Sequence, residues 1–176
     1  VLASHKDIVE QLTEIRSFML KQSNKTDREF KKVWNSIENI ITANKGPLAL
    51  AFSSIVEKAD YNNVILKYSA TVGGGTPVLE FGRKCLEADK ILEMHAILNG
   101  TTNYILTEMD DRGLSFQDAL KEAQELGYAE TDPTLDVDGF DAAAKLVIMG
   151  NLLLGKELVL NDLKIVKPGS LTPGSS

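Results

Sequence analysis

The chain has 176 residues, of which 43% are hydrophobic, enough for one or two compact domains with a substantial core. Its formal net charge is -6, and its lysines and arginines are scattered along the sequence. This pattern excludes a basic patch for nucleic acid or for an anionic membrane surface. The single cysteine, Cys85, excludes an internal disulfide and a thiolate zinc cluster, and it indicates a reducing, cytoplasmic location.

The start of the sequence does not have the pattern of a secretion signal. No apolar run approaches the roughly 20 residues that span a bilayer, and the start, VLASHKDIVE, lacks the basic and apolar regions of a secretion signal. The sequence begins with Val1 instead of methionine and ends in PGSLTPGSS, which has no means of packing. We therefore expect a fragment of a longer protein.

Apolar periodicity predicts alternating helices and strands. Two amphipathic helices are predicted within residues 1–38, the second after a capping box of Thr26 and Glu29. A strand at 40–43, a helix from Pro47 to residue 58 and a strand at 64–68 follow. The glycines at 73–75 then break the chain before a helix that begins near Pro77.

The second half of the sequence continues this pattern. Residues 91–98 and 158–166 are predicted strands, and residues 101–110 and 140–154 are predicted helices. A further helix begins at Ser115 and ends at Gly127. The expected fold class is α/β (α+β), with a mixed β-sheet that is covered by helices.

The segment 127–145, GYAETDPTLDVDGFDAAAK, concentrates five carboxylates. A calcium loop is one interpretation, because Asp136, Asp138 and Gly139 match positions within an EF-hand loop. The match fails at both ends, where Thr134 and Lys145 replace two oxygen ligands. The simpler interpretation is a solvated acidic loop that precedes a helix.

Lys145 argues for more than a solvated loop. It shares a helix face with Asp141 at i, i+4, and its neighbours are small or apolar, so we expect it to be partly buried. A lysine that is partly buried and held by a carboxylate has a tuned pKa and a fixed direction, which a proton-transfer group requires. The spacing permits this role without proving it.

Four motifs, read in order, resemble the signatures of homoserine dehydrogenases: TANKGP (42–47), ATVGGGTP (70–77), NGTTNYI (99–105) and the segment 127–145. The resemblance covers roughly residues 39 to 155. It implies oxidation of homoserine to aspartate semialdehyde, or the reverse, with NADP or NAD as the cofactor. It also implies a homodimer formed through the sheet of the catalytic domain.

The resemblance assigns roles to particular residues. Lys145 stands at the position of the lysine that exchanges the hydroxyl proton, and Lys45 at that of a second active-site lysine near cofactor and substrate. Glu130 and Asp141 stand where the family holds homoserine, and Asp136 lies close by in the same motif. An amino-acid substrate has an ammonium group that favours carboxylates and a carboxylate that favours lysines or backbone amides.

The resemblance also implies two backbone sites. Gly127 matches a position that touches the cofactor. The triple-glycine turn would lend the carbonyls of Val72, Gly74 and Thr76 to a sodium ion, but Ser69 stands where family members usually have a glutamate. We therefore expect sodium to bind weakly, if it binds.

The sequence contains no G-x-G-x-x-G loop for the cofactor pyrophosphate. We divide it into a helical segment with the last elements of a nucleotide-binding domain (1–43), a catalytic and dimerisation domain (44–166) and a flexible tail (167–176). We expect little or no activity from this chain alone. Two alternatives stay open: a non-catalytic fragment that keeps the dimerisation surface, or an oxidoreductase of another small amino or hydroxy acid.

Overall fold

The computed structural model describes residues 39–171. The helices predicted within residues 1–38 lie outside the described residues. Between residues 39 and 171, no helix combines the length and the apolar character that crossing a membrane requires. The structure contains two short strands, six α-helices and three turns of 3-10 helix in this range.

The elements follow one another with short connections. The strands are β1 (Ile40–Ile41) and β2 (Leu66–Lys67), and the 3-10 turns are Ser69–Thr71, Leu160–Asp162 and Pro168–Ser170. The helices are α1 (Lys45–Tyr61), α2 (Val78–Cys85), α3 (Gly100–Arg112), α4 (Phe116–Glu125), α5 (Thr134–Val137) and α6 (Phe140–Leu154).

Strands β1 and β2 pair in parallel, with Ile40 opposite Leu66 and Ile41 opposite Lys67. Helix α1 connects them, as a parallel pair requires a crossover. Helical backbone angles are interrupted inside α1 at Ala51, where φ is -151° and ψ is 46°. The α/β fold class is confirmed, with a sheet that is much smaller than the alternating apolar segments predict.

Side-chain caps explain where three helices begin. The side chain of Asn44 accepts a hydrogen bond from the backbone N–H of Gly46. In the same way, the side chain of Asn99 accepts from the backbone N–H of Thr102, and the side chain of Ser115 accepts from the backbone N–H of Asp118. Helix α1 therefore begins at Lys45, two residues before Pro47, which fits inside the first turn because its missing N–H is not needed there. Gly113 ends α3 in the left-handed conformation, with φ at 66°.

Helix α6 is the centre of the larger core. Val147 and Ile148 are fully buried, and burial of each such side chain contributes about 1.5 to 3 kcal/mol. The helix packs against α1 and α2. A Cβ added at Gly82 would lie 2.7 Å from the nearest side-chain carbon of Leu153, so α2 approaches α6 at a distance that only glycine allows.

A second core joins α3 and α4 through Ile105, Met109, Ala119 and Ala123, which are all buried. The small alanines of α4 allow the two helices to approach each other closely. Two polar contacts also join these helices. The hydroxyl of Tyr104 on α3 donates to Glu122 on α4 at 2.9 Å, and Arg112 on α3 donates to the same carboxylate at 2.8 Å. Helix α3, which carries the NGTTNYI motif, is thereby fixed along its length.

The prediction of strands at 91–98 and 158–166 was wrong. Residues 89–99 have no regular secondary structure, and residues 158–166 contain only the 3-10 turn Leu160–Asp162. Within residues 39–171, no other strand pairs with either segment, and a strand exists only through its ladder of hydrogen bonds. Leu92 and Ile97 are 81% and 77% exposed, whereas Ile91, Met94 and Leu98 pack against the larger core without forming a strand.

The proposed domain boundaries stay predictions. Strand β1, which precedes the boundary at 43, pairs with β2, which follows it. At the other end, Pro168 is buried, and the turn Pro168–Ser170 packs against α3 and α4. The predicted tail, 167–176, includes this turn, and its residues after Leu171 lie outside the described part of the chain.

Candidate active site

Lys45 is the first residue of α1, directly after the cap residue Asn44. A cation at the first position of a helix is disfavoured by the positive end of the helix dipole. The Nζ atom of Lys45 lies 3.0 Å from Oδ1 of Asp141, and the lysine side chain is 36% exposed. The ion pair with Asp141, which is distant in the sequence, therefore offsets the unfavourable interaction of Lys45 with the helix dipole.

Lys145 and Asp141 form the ion pair that their i, i+4 spacing indicates. The Nζ atom of Lys145 lies 2.5 Å from Oδ2 of Asp141, and the two side chains are only 19% and 12% exposed. Lys145 also donates to the backbone carbonyl of Leu98 at 2.6 Å. Two of the three N–H groups of the ammonium are thus engaged, and one is left to contact a ligand.

The electrostatics of Asp141 follow from these contacts. Its burial acts to raise the pKa, but hydrogen bonds from Lys145, Asn99 and Lys45 outweigh this effect and hold the pKa below its ordinary value. Asp141 also lies in the first turn of α6, where the helix dipole favours a negative charge. Asp141 is therefore an ionised carboxylate that holds two lysines from distant parts of the sequence.

Asn99 brings Asp136 to the same cluster. Its side-chain Nδ2 donates to Oδ1 of Asp136 at 2.6 Å and to Oδ2 of Asp141 at 3.0 Å. The hydroxyl of Thr101 lies 3.1 Å from the other carboxylate oxygen of Asp136. Neither Asn99 nor Thr101 was predicted as a site residue, although an asparagine before a predicted helix already indicates an N-cap.

The remaining carboxylates of segment 127–145 have separate roles. Asp132 accepts from both the backbone N–H and the hydroxyl of Thr134, which lowers its pKa, and Asp138 pairs with Lys167 at 2.8 Å. Glu130 is exposed, and within residues 39–171 only its backbone carbonyl is engaged, by Gln124. The structure thus places Glu130 in the same segment but does not show it in contact with either lysine.

Gly127 lies on the wall of a pocket of about 530 Å³, opposite the first two turns of α3. Its φ is +80°, a conformation that side chains with a Cβ rarely adopt. Thr101 connects this pocket to the charged cluster, because its hydroxyl lies 2.7 Å from the carbonyl of Tyr128 as well as near Asp136. The rings of Tyr104 and Tyr128 stack across the pocket wall with centroids 4.7 Å apart.

The triple-glycine turn lies between the 3-10 turn Ser69–Thr71 and helix α2. Gly73 and Gly74 have φ of 82° and 59°, so the turn needs glycine at both positions. The carbonyl of Thr76 accepts from the N–H of Val78 at 2.8 Å, which leaves one of its lone pairs free. Ser69 donates to the carboxylate of Glu80 at 3.3 Å, so a carboxylate does lie beside this turn.

One polar atom beside Lys45 has no partner. The Nδ2 atom of Asn44 is buried and makes no hydrogen bond within the part of the chain that the structure describes. A buried amide N–H that is left unpaired costs about 1 to 3 kcal/mol. This donor belongs to the residue that directly precedes Lys45. The sequence analysis missed Asn44, because an unpaired atom becomes visible only when its surroundings are known.

Comparisons with known proteins identify the family to which this α/β chain belongs. The family model described as homoserine dehydrogenase matches residues 77–173, more than half of the chain. A homoserine dehydrogenase of Methanocaldococcus jannaschii is 47% identical over 136 residues, which cover 77% of this chain and 40% of that protein. The chain belongs to the homoserine dehydrogenase family.

Solved structures give the same result. The chain resembles a putative homoserine dehydrogenase from Archaeoglobus fulgidus with a TM-score of 0.72 and 40% identity, over 84% of this chain and 47% of that one. It also resembles a hyperthermophilic archaeal homoserine dehydrogenase in complex with NADPH, with a TM-score of 0.63 and 33% identity, over 72% and 40% of the two chains. The chain thus spans less than half the length of these relatives.

Proposed function

We propose that the chain carries the substrate-binding and proton-transfer site of a homoserine dehydrogenase, which interconverts homoserine and aspartate semialdehyde. The observation that carries this proposal is that Lys45 and Lys145 both contact the carboxylate of Asp141. A proton-transfer group needs a fixed direction, and this shared carboxylate supplies it. The product would feed the biosynthesis of threonine, methionine and isoleucine.

Lys145 is the proposed proton-transfer residue. In the reduction of the aldehyde, its free N–H gives a proton to the carbonyl oxygen while the carbonyl carbon receives a hydride. In the oxidation of homoserine, the neutral amine takes the proton of the hydroxyl while the hydride leaves the carbon. Asp141 stabilises the ammonium form and the Leu98 carbonyl fixes its direction, so Nζ returns to one position after each transfer.

Homoserine has two charged groups that the site must hold. We assign its ammonium group to Asp136 and Glu130, and its carboxylate to Lys45. Glu130 supports this assignment because its carboxylate is exposed and unengaged within residues 39–171. Lys45 supports it because about a third of its side chain is exposed beyond its contact with Asp141.

A nicotinamide cofactor, NADP or NAD, is part of the proposal. When bound, it supplies the acceptor or donor of the hydride. The residues present fit this cofactor: Asn44 offers an unpaired buried donor beside Lys45, at the carboxyl end of the parallel strand β1, where ligands of α/β sheets bind. Asn44, Lys45 and the backbone at Gly127 would hold its nicotinamide end. The archaeal relative in complex with NADPH supports the choice of cofactor.

A sodium site at the triple-glycine turn is a weaker part of the proposal. The backbone carbonyls of Val72, Gly74 and Thr76 are the proposed ligands. Oxygen ligands suit hard cations such as sodium. The carboxylate of Glu80, which accepts a hydrogen bond from Ser69, lies beside this turn. Cytoplasmic location is also proposed, supported by the single cysteine, Cys85.

Calorimetric titration of homoserine into the chain tests the substrate assignment. We expect binding that weakens about tenfold or more for the analogue without the ammonium group and for the analogue without the hydroxyl group, because each leaves a protein group unpaired. Equal affinity for homoserine and both analogues would contradict the proposal. It would favour the alternative of an oxidoreductase for another small acid.

A pair of lysine substitutions controls this experiment. Lys145→Met should abolish most of the homoserine affinity. Lys121→Met should not, because Lys121 is 76% exposed and pairs with Glu125 on the surface of α4. Adding NAD or NADP and following the absorbance of the reduced cofactor then decides whether the chain alone turns over, which we expect to be slow or absent.

A homodimer is the proposed assembly. Leu92 and Ile97 are more than three-quarters exposed in the segment that the sequence predicted as a strand, and Val166 is 55% exposed in the other such segment. Exposed apolar residues of this size favour an interface. Ile97→Lys should shift the mass measured by light scattering towards the monomer, whereas Leu50→Lys, at an equally exposed position on α1, should not. Equal masses for both variants would argue against this interface.

A further inference from the structure

Asn99 is a neutral side chain that contacts both carboxylates of the charged cluster, those of Asp136 and Asp141. It is 9% exposed, and it caps α3 by accepting from the N–H of Thr102 at 2.8 Å and from the Thr102 hydroxyl at 3.1 Å. Both of its amide hydrogens point away from this cap, to Asp136 and to Asp141. Every donor and acceptor of the side chain is thus in use.

The orientation of this amide is fixed by chemistry. Exchanging the nitrogen and the oxygen would place the carbonyl oxygen against the acceptor oxygens of two carboxylates, and the NH₂ group against the N–H of Thr102. Only one orientation satisfies all the partners. The side-chain amide of Asn99, at the capped end of α3, therefore cannot rotate, and it directs both of its N–H groups to Asp136 and Asp141.

The two carboxylates that Asn99 binds belong to different elements. Asp136 lies in α5 and Asp141 in the first turn of α6. Like charges at this separation repel, and a shared neutral donor offsets the repulsion. Thr101 is a weaker partner of Asp136, because its single hydroxyl hydrogen has a shorter alternative acceptor, the Tyr128 carbonyl at 2.7 Å.

We propose that Asn99 is a positioning residue, which fixes the carboxylates of Asp136 and Asp141 relative to each other and, through Asp141, orients Lys45 and Lys145. Asp141 offers Oδ1 to Lys45 and shares Oδ2 between Lys145 and Asn99. Without the amide, the Asp141 carboxylate keeps its contacts with the two lysines but loses the rigid partner that ties it to the capped end of α3, so its rotation and the positions of both lysines are less tightly fixed. The role in orienting a proton-transfer lysine rests on the proposed function, whereas the fixing of the two carboxylates does not.

The test separates positioning from helix capping. Serine is as good an N-cap as asparagine but cannot donate to two carboxylates, so Asn99→Ser keeps the cap and removes the bridge. Ser115→Asn, a cap exchange at α4, is the matched control. In Asn99→Ser, carbon-13 NMR should show the pKa of the Asp141 carboxyl rising towards its ordinary value, and homoserine affinity should fall about tenfold. Ser115→Asn should change neither quantity.

If Asn99→Ser does not fold, the proposal can be tested by NMR on the unsubstituted chain. The side-chain amide resonances of Asn99 should shift at the pH at which Asp141 is protonated. Amide resonances that stay constant through that titration, or an Asn99→Ser variant with an unchanged Asp141 titration, would overturn the proposal. If the chain does not bind homoserine but the Asn99 and Asp141 signals move together, the proposed function fails while the fixing of the carboxylates stands.

Discussion

The ammonium group of Lys45 lies 3.0 Å from Oδ1 of Asp141, so one ion pair joins the first residue of α1 to the first turn of α6. Lys145 approaches the other oxygen of the same carboxylate from one turn further along α6. Asp141 thus compensates two positive charges that have limited access to water. The consequences for stability and for ligand binding can be measured separately.

Asp141→Asn should destabilise the fold and weaken homoserine binding. Removing the carboxylate leaves two ammonium groups facing a neutral side chain, and an uncompensated buried charge is costly, here about 2 kcal/mol after allowing for the partial exposure of Lys45. Urea unfolding measures this loss. Glu125→Gln, which removes a carboxylate from the exposed pair with Lys121, should change the free energy of unfolding by less than about 0.5 kcal/mol. Equal losses for the two variants would contradict the assigned role.

The stability should fall at low pH through Asp141. Its pKa is lowered in the folded protein, so its contribution to stability is complete above the unfolded pKa of about 3.8 and is lost as the pH falls through the folded value. Unfolding free energies measured in urea from neutral pH downwards should decline below about pH 4. In Asp141→Asn this decline should be shallower, and an identical pH profile for both proteins would contradict the prediction.

Lys145→Met and Lys145→Arg should separate charge from shape. Methionine leaves both Asp141 and the Leu98 carbonyl without their donor, and we expect a loss of about 2 kcal/mol in unfolding free energy. Arginine keeps the charge and can still donate to Asp141, so the stability should return in part. Homoserine binding should not recover to the same extent, because the planar guanidinium cannot place a single N–H as lysine does. Full recovery by arginine would argue against a specific role for Nζ.

Tyr104 should remain protonated in strongly alkaline solution. Burial and the hydrogen bond that its hydroxyl donates to Glu122 raise its pKa to about 12. In Glu122→Gln the pKa should fall towards 10.0, because ionisation would no longer place two negative charges together. NMR of the ring carbons follows this titration for each tyrosine. Tyr68, which belongs to the larger core and whose pKa is raised by its own burial, is the internal control, and its titration should be the same in both proteins.

Gly82→Ala should destabilise the contact between α2 and α6. The new methyl group would lie within 2.8 Å of two carbons of Leu153, which is only 4% exposed and has little room to move. We expect a loss of about 1 to 3 kcal/mol, despite the better helix propensity of alanine. In the background of Leu153→Ala the same change should be neutral or stabilising, because the obstructing side chain is gone. A loss that persists in that background would locate the strain elsewhere.

The sequence predicted the local elements of this fold well where the signal is local. The cap at Ser115, the glycine turn and the bounds of α6 all follow from interactions within a few residues along the chain. It overestimated the sheet, because residues 91–98 and 158–166 have apolar residues but no paired neighbour between residues 39 and 171. Strand pairing depends on a second segment, and neither segment contains that information.

In the candidate site, too, some contacts follow from the local sequence and others depend on the tertiary structure. The sequence by itself determined the pair of Asp141 and Lys145, since i, i+4 spacing on a helix brings their side chains together. Only the tertiary structure decided that Lys45 and Asn99 contact the same carboxylate, that Asp138 instead pairs with Lys167, and that Glu130 stays exposed. The physical reason is distance along the chain: contacts between helices depend on how α1, α3 and α6 pack, and that packing is set by the buried core, not by the charged residues.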